Sequence, residues 1–372
     1  MRQHLLPHTL LLVLILFLGL GLIPPLAQLT AVLTNDSQNL FSVLTGYNIR
    51  SCINTLLIGL SVSIVATVLG FIVAFAISAT HAWGRSYLKA LFLVPLFAPS
   101  IMPAIGLIYL IGNNGLLMNI ELYGAIGVFL GGLIFALPHA TLQLLVNLKS
   151  LDTRLLDAAR SLGAGSLRRL FSIVVPHCRR GFLNAFLITF VLTITDFGVP
   201  KLLGGSFPVL ATEIYAQAIG NQNFASAAFL SLWLLFPSLI AFYFSNQLTH
   251  NQKATNHITV YQIHPNQLRD RVLAVLAWFI VGFESLSVFI VIYGSFITFW
   301  PYQTAFTLAN YSFNNSSYGL NPWIHSLILA FSVAILGTLL TYTGSYLTQR
   351  LSHVNACLLY TSPSPRDISG SR

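Results

Sequence analysis

Charge is scarce in this chain. Asp, Glu, Lys and Arg together make up 7% of the 372 residues, whereas 55% are hydrophobic and the mean hydropathy is +0.77. A soluble domain carries several times that charge on its surface, so the composition excludes a conventional soluble protein. The formal charge of +9 does not indicate nucleic-acid binding, because the basic residues lie between apolar runs, where they act as orientation signals. The composition predicts an integral membrane protein that partners a lipid bilayer and no nucleic acid.

Residues that carry chemistry are also few. The three cysteines, Cys52, Cys178 and Cys357, lie far apart and show no metal-binding spacing, so neither a zinc site nor a disulfide framework is supported. None of the four lysines follows a glycine, which excludes the Gly-Lys pair of a phosphate-binding loop. No Ser-His-Asp arrangement stands out. We therefore expect no catalytic site, cofactor or metal in this chain, and any energy from ATP must come from a separate subunit.

Long apolar runs are what the sequence does contain. A helix needs about 20 apolar residues to cross a bilayer, and helices satisfy their own backbone hydrogen bonds in lipid. Eight runs meet this requirement: 9–29, 53–78, 90–111, 125–146, 181–203, 225–244, 272–299 and 323–347. The fold class predicted is an all-α integral membrane protein, a polytopic helical bundle of about eight transmembrane helices.

The basic residues between these runs predict the orientation. If the N-terminus is cytoplasmic, fourteen Lys and Arg residues fall in inside segments and two, Arg50 and Lys201, fall outside. Cytoplasmic loops carry the excess of Lys and Arg, so this asymmetry favours a multi-pass protein with its N-terminus in the cytoplasm. The same assignment places the polar segment 151–176 on the cytoplasmic side.

Proline interrupts two of the predicted crossings. The third contains Pro95, Pro99 and Pro103, and the fourth contains Pro138. Proline removes a backbone hydrogen bond, so we expect kinks in both, where neighbouring helices or water satisfy the freed carbonyls. Kinked helices around an aqueous path fit a transporter, although proline is common in membrane helices generally.

The order of segments predicts two halves. Residues 1–246 form a first half of six helices with a core at 53–244, 247–271 form a polar cytoplasmic linker, and 272–356 begin a second half of two helices. Residues 53–69 also match 324–340 at several positions with a constant offset, as in a duplicated transporter. Histidines recur in the linker, and we interpret them as solvated residues and not as metal ligands.

We expect the end of the chain to have a different origin from the rest. The sequence CLLYTSPSPRD at 357–367 resembles a translated sequencing-library adapter. We therefore expect 357–372 to be an artefact and the natural protein to continue beyond Ala356 with further crossings.

The segment 151–176 is the only long polar stretch in the first 246 residues. Leucines recur at helical spacing on both sides of Gly163-Ala164-Gly165, which predicts two short amphipathic helices joined at glycine. Gly163 suits the left-handed end of the first helix, and Ser166 suits the N-cap of the second. A rigid, basic hairpin between two crossings predicts a docking surface for a cytoplasmic partner.

This hairpin resembles a known motif. The residues DAA at 157–159, Gly163 and IVVP at 173–176 match in spacing the cytoplasmic EAA motif of binding-protein-dependent ABC importer permeases. Asp157 replaces the family's Glu and Val175 its Leu, both conservative changes. The resemblance covers 53–244 and the start of a second copy.

In that family the hairpin is the coupling helix that seats in a cleft of the ATPase subunit. The resemblance implies a cytoplasmic ABC ATPase dimer and a periplasmic or extracellular solute-binding protein as partners, and a place in the bacterial inner membrane. The residues it nominates for ATPase coupling are Asp157, Ala158, Ala159, Arg160, Leu162, Gly163, Leu167, Arg168, Arg169, Ile173 and Pro176.

A second group of candidates lies at the outer end of the fifth crossing, where Asp196, Phe197, Gly198 and Pro200 are candidates for the translocation path. An acidic residue near membrane depth usually faces a cavity or a partner, although a helix-end Asp in a water-exposed mouth is the alternative. The run TDFGVPKLLGG resembles fused permeases of the ferric iron, thiamine and 2-aminoethylphosphonate group, most closely the 2-aminoethylphosphonate branch.

The resemblance implies import of a small polar solute, with 2-aminoethylphosphonate or ferric iron favoured. The alternative function is an ion-coupled secondary transporter, which would use intramembrane acids such as Asp196 and Glu284 and need no ATPase.

Overall fold

A computed structural model of the chain describes residues 46–151, 153–250, 267–312 and 319–350, with single positions between 15 and 34. It divides into two compact units, one of residues 36–307 and one that combines 1–35 with 308–372. Among the described residues, five helices are long and apolar enough to cross a membrane, or up to seven if each of two bent pairs is one span. The predicted helical membrane bundle is confirmed. Most of the first predicted crossing, much of the linker and the tail fall outside the described residues.

The unit of residues 36–307 is mainly helical. Its helices are α1 (Gly46–Ala79), α2 (Arg85–Leu91), α3 (Ile101–Ile111), α4 (Ala125–Lys149), α5 (Thr153–Ser161), α6 (Ser166–Arg169), α7 (Val175–His177), α8 (Arg179–Thr195), α9 (Gly198–Leu203), α10 (Leu210–Tyr215), α11 (Phe224–His250) and α12 (Gln267–Ser295).

Shorter elements complete the chain. Pro95–Phe97 is a 3-10 turn, and Leu170–Val174 and Ala216–Gly220 are π-helical turns. After α12 comes a small antiparallel sheet of β1 (Ile297–Phe299) and β2 (Gln303–Phe306). The other unit contains α13 (Asn321–Arg350), which includes the predicted match to α1.

The centre of the 36–307 unit is the packing of α1 against α4 and α8. Small residues allow the backbones to approach: a Cβ on Gly70 would lie 3.0 Å from the Thr141 backbone nitrogen, and Ala66, Ala136 and Ala140 are fully buried. Lipid tails are as apolar as leucine, so such helices associate through close van der Waals packing. The small residues therefore hold this core together.

Several buried hydroxyl groups are satisfied inside the helices that carry them, whereas Thr67 Oγ1 is buried without a partner among the described residues. Side chains of Thr55, Ser63, Thr141, Thr189 and Thr193 each donate to the carbonyl oxygen four residues earlier. An unpaired polar group in hydrocarbon costs several kcal/mol, so this local pairing makes hydroxyl residues acceptable at membrane depth.

The third predicted crossing is broken more sharply than a kink. The segments Arg85–Phe97 and Ile101–Ile111 meet at 110°, and the break contains Pro99. Pro103 is accommodated in the first turn of α3, where its missing N–H has no intrahelical partner to lose. By contrast, α4 runs as one helix through Pro138, and the kink predicted there stays a prediction.

Two predicted crossings end earlier than expected. The fifth crossing stops at Thr195, and Gly198–Leu203 is a separate helix in which Pro200 occupies the first turn, a position that tolerates proline. The seventh stops at Ser295, because Ile297 to Phe299 forms a strand. The hydropathy of residues 181–203 and 272–299 is high throughout, so it revealed neither the helix end at Thr195 nor the one at Ser295.

A close contact between α3 and α12 gives a test of this packing. A Cβ added to Gly106 would lie 1.8 Å from the carbonyl oxygen of Ser287, so one of the two backbones must move. We expect Gly106→Ala to lower the free energy of unfolding by about 3 kcal/mol, the upper end of the overpacking range. Thermal unfolding in detergent, followed by tryptophan fluorescence, measures the loss. Gly282→Ala in α12 is the matched control, because nothing lies within 4 Å of its added Cβ. Equal stability of both variants would contradict the packing described.

Candidate functional site: the polar hairpin and the outer helix end

The polar hairpin consists of α5 followed by α6 and α7. Gly163 adopts a left-handed conformation with φ of 76°. The Ala164 amide donates to the Ala159 carbonyl at 3.0 Å, and the Gly163 amide donates to the Arg160 carbonyl at 2.8 Å. This pair of bonds is the Schellman motif, which closes a helix end and satisfies its last carbonyls. The predicted role of Gly163 is confirmed by this geometry.

The second arm begins differently from the prediction. The N-cap of α6 is Gly165, with extended backbone, and Ser166 is already the first helical residue, so Ser166 is not the cap. A π-helical turn, Leu170–Val174, follows, and α7 then meets α8 at a bend of 61° between Ser166–His177 and Arg179–Thr195. Pro176 lies immediately before that bend and has no amide to donate to the preceding turn.

One face of the hairpin is anchored to the core. Leu156 and Val174 are each 4% exposed and belong to the main apolar cluster formed with α1 and α4. Leu170 and Ile173 are half-buried against the same cluster. Ile173, which the family resemblance nominates for coupling, therefore packs toward the bundle and not outward.

The opposite face presents apolar side chains to the outside. Leu162, at the tip, is 88% exposed, and Phe171 is exposed as well. Leu167 is exposed and also lines the cavity behind the hairpin. Leu155 is exposed as well, although it is adjacent to the buried Leu156. The helical spacing of the leucines does not distinguish these two, because neighbouring apolar residues on a helix fit two different faces.

The remaining candidates for ATPase coupling also divide into exposed and half-buried residues. Asp157, Ala158, Arg160, Gly163, Arg168 and Pro176 are exposed, and Ala159 is half-buried. Arg169 is half-buried and lines a cavity behind the hairpin, where its Nε atom is buried and has no hydrogen-bond partner. Most of the nominated coupling residues are thus exposed, whereas Arg169 and Ile173 are half-buried.

At the other end of α8, Asp196 acts as a structural cap. Its carboxylate accepts hydrogen bonds from the backbone amides of Gly198 at 3.3 Å and Val199 at 2.9 Å. The first amides of a helix have no intrahelical partner, and a carboxylate there also complements the helix dipole. This contact favours the helix-end interpretation of Asp196.

The neighbours of Asp196 are packed against other elements. A Cβ on Gly198 would lie 2.6 Å from Ser100 Oγ, at the break before α3, and Pro200 is buried. The Phe197 ring packs on Tyr215 with a centroid separation of 4.9 Å. With 17 residues in α8, about 25 Å separates this group from the polar hairpin, so the two candidate groups form separate sites.

The segment of residues 204–209 joins α9 to α10, and we call it the outer loop. It and the start of α10 are tied to α1 by two buried hydrogen bonds. Asn54 Nδ2 donates to the Pro208 carbonyl at 2.9 Å, and the Leu210 amide donates to Thr55 Oγ1 at 2.8 Å. These bonds seat α10 on the N-terminal part of α1. The polar residues of α1 that make them carry no sequence motif.

Glu284 is buried within α12. Its side chain is 2% exposed, and neither carboxylate oxygen has a hydrogen-bond partner among the described residues. Across the described part of the chain, no group of three or more His, Cys, Asp or Glu residues is arranged to hold a metal ion.

Comparison with known proteins gives a family match. The profile described as "Binding-protein-dependent transport system inner membrane component" matches residues 66–251. The chain is 29% identical over 329 residues to the ferric transport system permease protein FbpB of Actinobacillus pleuropneumoniae, a match that covers 80% of this chain and 47% of that protein. The chain thus spans about half the length of this relative.

Two further matches concern a polyamine permease and a solved structure. The chain is 30% identical over 258 residues to the spermidine/putrescine transport system permease protein PotB of Haemophilus influenzae, covering 62% of this chain and 90% of that protein. A chain in the crystal structure of a bacterial alginate ABC transporter, in complex with its alginate pentasaccharide-bound periplasmic protein, superposes with a TM-score of 0.50 at 14% identity. That match covers 67% of this chain and 95% of the other, and it supports the fold alone.

The Schellman turn predicts how the hairpin responds to substitution. Gly163→Val would force a β-branched residue into the left-handed region, at a cost of about 1–2 kcal/mol. We expect amide hydrogen exchange in 153–164 to accelerate roughly 5- to 30-fold, the equivalent of that cost. Gly165→Val is the control, because Gly165 is extended and nothing lies within 4 Å of an added Cβ. Equal acceleration in both variants would exclude the left-handed turn as the cause.

Proposed function

We propose, from the premise that this chain belongs to the family of binding-protein-dependent transport system inner membrane components, that it is the membrane permease subunit of an ATP-driven importer. The observation that carries the proposal is the exposed apolar tip of the polar hairpin, on an element whose other face is buried in the core. An exposed cluster of Leu162, Leu167 and Phe171 on a rigid turn fits a partner's cleft better than it fits water.

The partner we propose is a cytoplasmic ABC ATPase dimer. The sequence has no Gly-Lys pair for a phosphate-binding loop, so the energy source lies on another chain. Exposed Arg160 and Arg168 flank the tip and would steer acidic groups of the ATPase into register. Closure of the ATPase on ATP would move the hairpin, and Leu156 and Val174 would transmit that movement to the core helices.

On the other side of the membrane we propose a solute-binding protein as the second partner. The outer loop is the candidate surface: α9 and α10 are held there by the Asp196 cap, the Phe197–Tyr215 contact and the bonds to α1. In this arrangement the permease lies in a bacterial inner membrane with its N-terminus in the cytoplasm, and alternating access moves the solute inward.

For the solute we propose ferric iron, with 2-aminoethylphosphonate as the competing substrate. The ferric iron choice is supported by the similarity to the permease of a ferric transport system. 2-Aminoethylphosphonate is supported by the resemblance of the run TDFGVPKLLGG to the 2-aminoethylphosphonate branch of these permeases. Specificity in such systems lies largely in the external binding protein, so the residues of this chain discriminate weakly between the two.

A second candidate function, ion-coupled secondary transport, is favoured by one observation. Glu284 is an intramembrane acid with no partner among the described residues, and such residues often mark ion pathways. Secondary transport requires no ATPase, so a measurement of the ATP dependence of uptake distinguishes it from an ATP-driven importer.

Docking at the hairpin tip is tested by Leu162→Asp. The residue is 88% exposed, so the change leaves the core intact while it places a charge in the proposed contact. We expect co-purification of the cognate ATPase to fall about tenfold or more, with unchanged membrane insertion. Arg271→Glu, at an exposed basic residue outside the hairpin and outside the lining of the cavity behind it, is the control and should retain the ATPase. Normal co-purification with Leu162→Asp would contradict the docking surface.

Energy source and solute are tested together in proteoliposomes that contain the permease, ATPase and binding protein. We expect uptake of radiolabelled ferric iron only with ATP and only with the loaded binding protein, because the permease alone has no means to hydrolyse ATP. Uptake that persists without ATP and collapses with the ion gradient would favour secondary transport. ATP-dependent uptake of 2-aminoethylphosphonate in place of iron would overturn the proposed solute but not the importer.

A further inference from the structure

Behind the polar hairpin lies a cavity of about 770 Å³. Its walls come from the hairpin, the last turns of α1 and α4, the first turns of α12, and α2. Phe71, Phe75 and Leu273 supply part of its apolar surface. The volume is in the range of sites that take drug-sized ligands.

The charged residues of this cavity are all of one sign. Its lining includes Arg85, Lys89, Lys149, Arg169 and Arg269, and no acidic side chain. Arg269 pairs with Asp270 at 2.8 Å, outside the lining. For Arg85, Lys89 and Lys149 the described residues offer no ion-pair partner, and Arg169 Nε is buried with no hydrogen bond. A group of cations around an apolar surface is complementary to an anionic ligand that also has an apolar part.

The position of the cavity relative to the membrane identifies the ligand class. Trp83 and Tyr87, close to Arg85 and Lys89 in the chain, are exposed, and Trp278 Nε1 donates to the Trp83 carbonyl at 2.9 Å. Trp and Tyr concentrate at the membrane–water interface, so these aromatics place the cavity at the level of lipid headgroups. Arg85 and Lys89, four residues apart, occupy the same face of α2.

We propose that this cavity binds the headgroup of an anionic phospholipid from the leaflet on the hairpin side. Basic pockets between transmembrane helices at this level suit lipid phosphates. The phosphate would contact Arg85, Lys89, Lys149 and Arg169, while the acyl chains would run along the apolar wall toward the bilayer. This site goes beyond the proposed transport function and does not depend on the identity of the solute.

The test uses the purified full chain, stripped of lipid, and native mass spectrometry with added phosphatidylglycerol or phosphatidylcholine. We expect preferential retention of phosphatidylglycerol. The triple variant Arg85→Gln, Lys89→Gln, Lys149→Gln should lower that retention by more than about tenfold, since each cation near an anionic lipid contributes roughly a fivefold effect. All three side chains are exposed, so the fold should survive, and thermal unfolding checks this.

A matched variant removes the same charge elsewhere on the hairpin side: Arg160→Gln, Arg168→Gln, Arg179→Gln, none of which lines the cavity. It should bind phosphatidylglycerol like the wild type. An equal loss in both variants would overturn the proposal, because net charge alone would then explain the binding. Displacement of the lipid by inorganic phosphate at millimolar concentration would also overturn it, by showing a site for a free anion. A cavity triple that keeps its lipid but loses the ATPase would assign the cations to that protein partner instead.

Discussion

The structure depends on one constraint, the absence of water from the lipid around the helices, and it has two parts. Backbone polar groups must find hydrogen-bond partners inside the chain. In addition, no hydrophobic effect drives the helices together, because lipid is as apolar as their side chains. The first part of the constraint selects helices and explains why buried Ser and Thr residues bond to their own backbone. The second part explains why glycine and alanine line the contacts of α1 with α4 and α8. The hairpin, the outer loop and the cavity are all positioned by this core.

Sequence reasoning located the crossings because hydropathy measures compatibility with lipid, and that property is local. It did not locate all of their ends or directions. The prolines of the third crossing predicted an interruption before α3 but not its 110° angle, and hydropathy predicted neither the restart at Gly198 nor the strand at Ile297. What decides each is a particular contact, such as the carboxylate of Asp196 on the amides of Gly198 and Val199, which composition does not encode.

The hairpin was predictable for a stereochemical reason and unpredictable for a packing reason. Only glycine adopts a φ of 76° without strain, so Gly163 indicated the turn directly. Which leucines would be buried depended on how the hairpin sits against α1 and α4, a long-range property. Leu155 and Leu156 are chemically identical neighbours, yet one is exposed and the other buried. Two neighbouring arginines differ in the same way: Arg168 is exposed, whereas Arg169 is half-buried.

The two faces of the hairpin make it suitable as a lever. Protein interiors are packed as densely as organic crystals. A side chain that is buried in such an interior therefore transmits a displacement to its neighbours and does not absorb it. Leu156 and Val174 are anchored in this way, and a push on the exposed tip at Leu162 must therefore reach α1 and α4. The cavity behind the hairpin is a part of this path that protein does not fill among the described residues. A phospholipid bound there would fill it, and would stiffen the connection between the hairpin and the core helices that the proposed importer has to move.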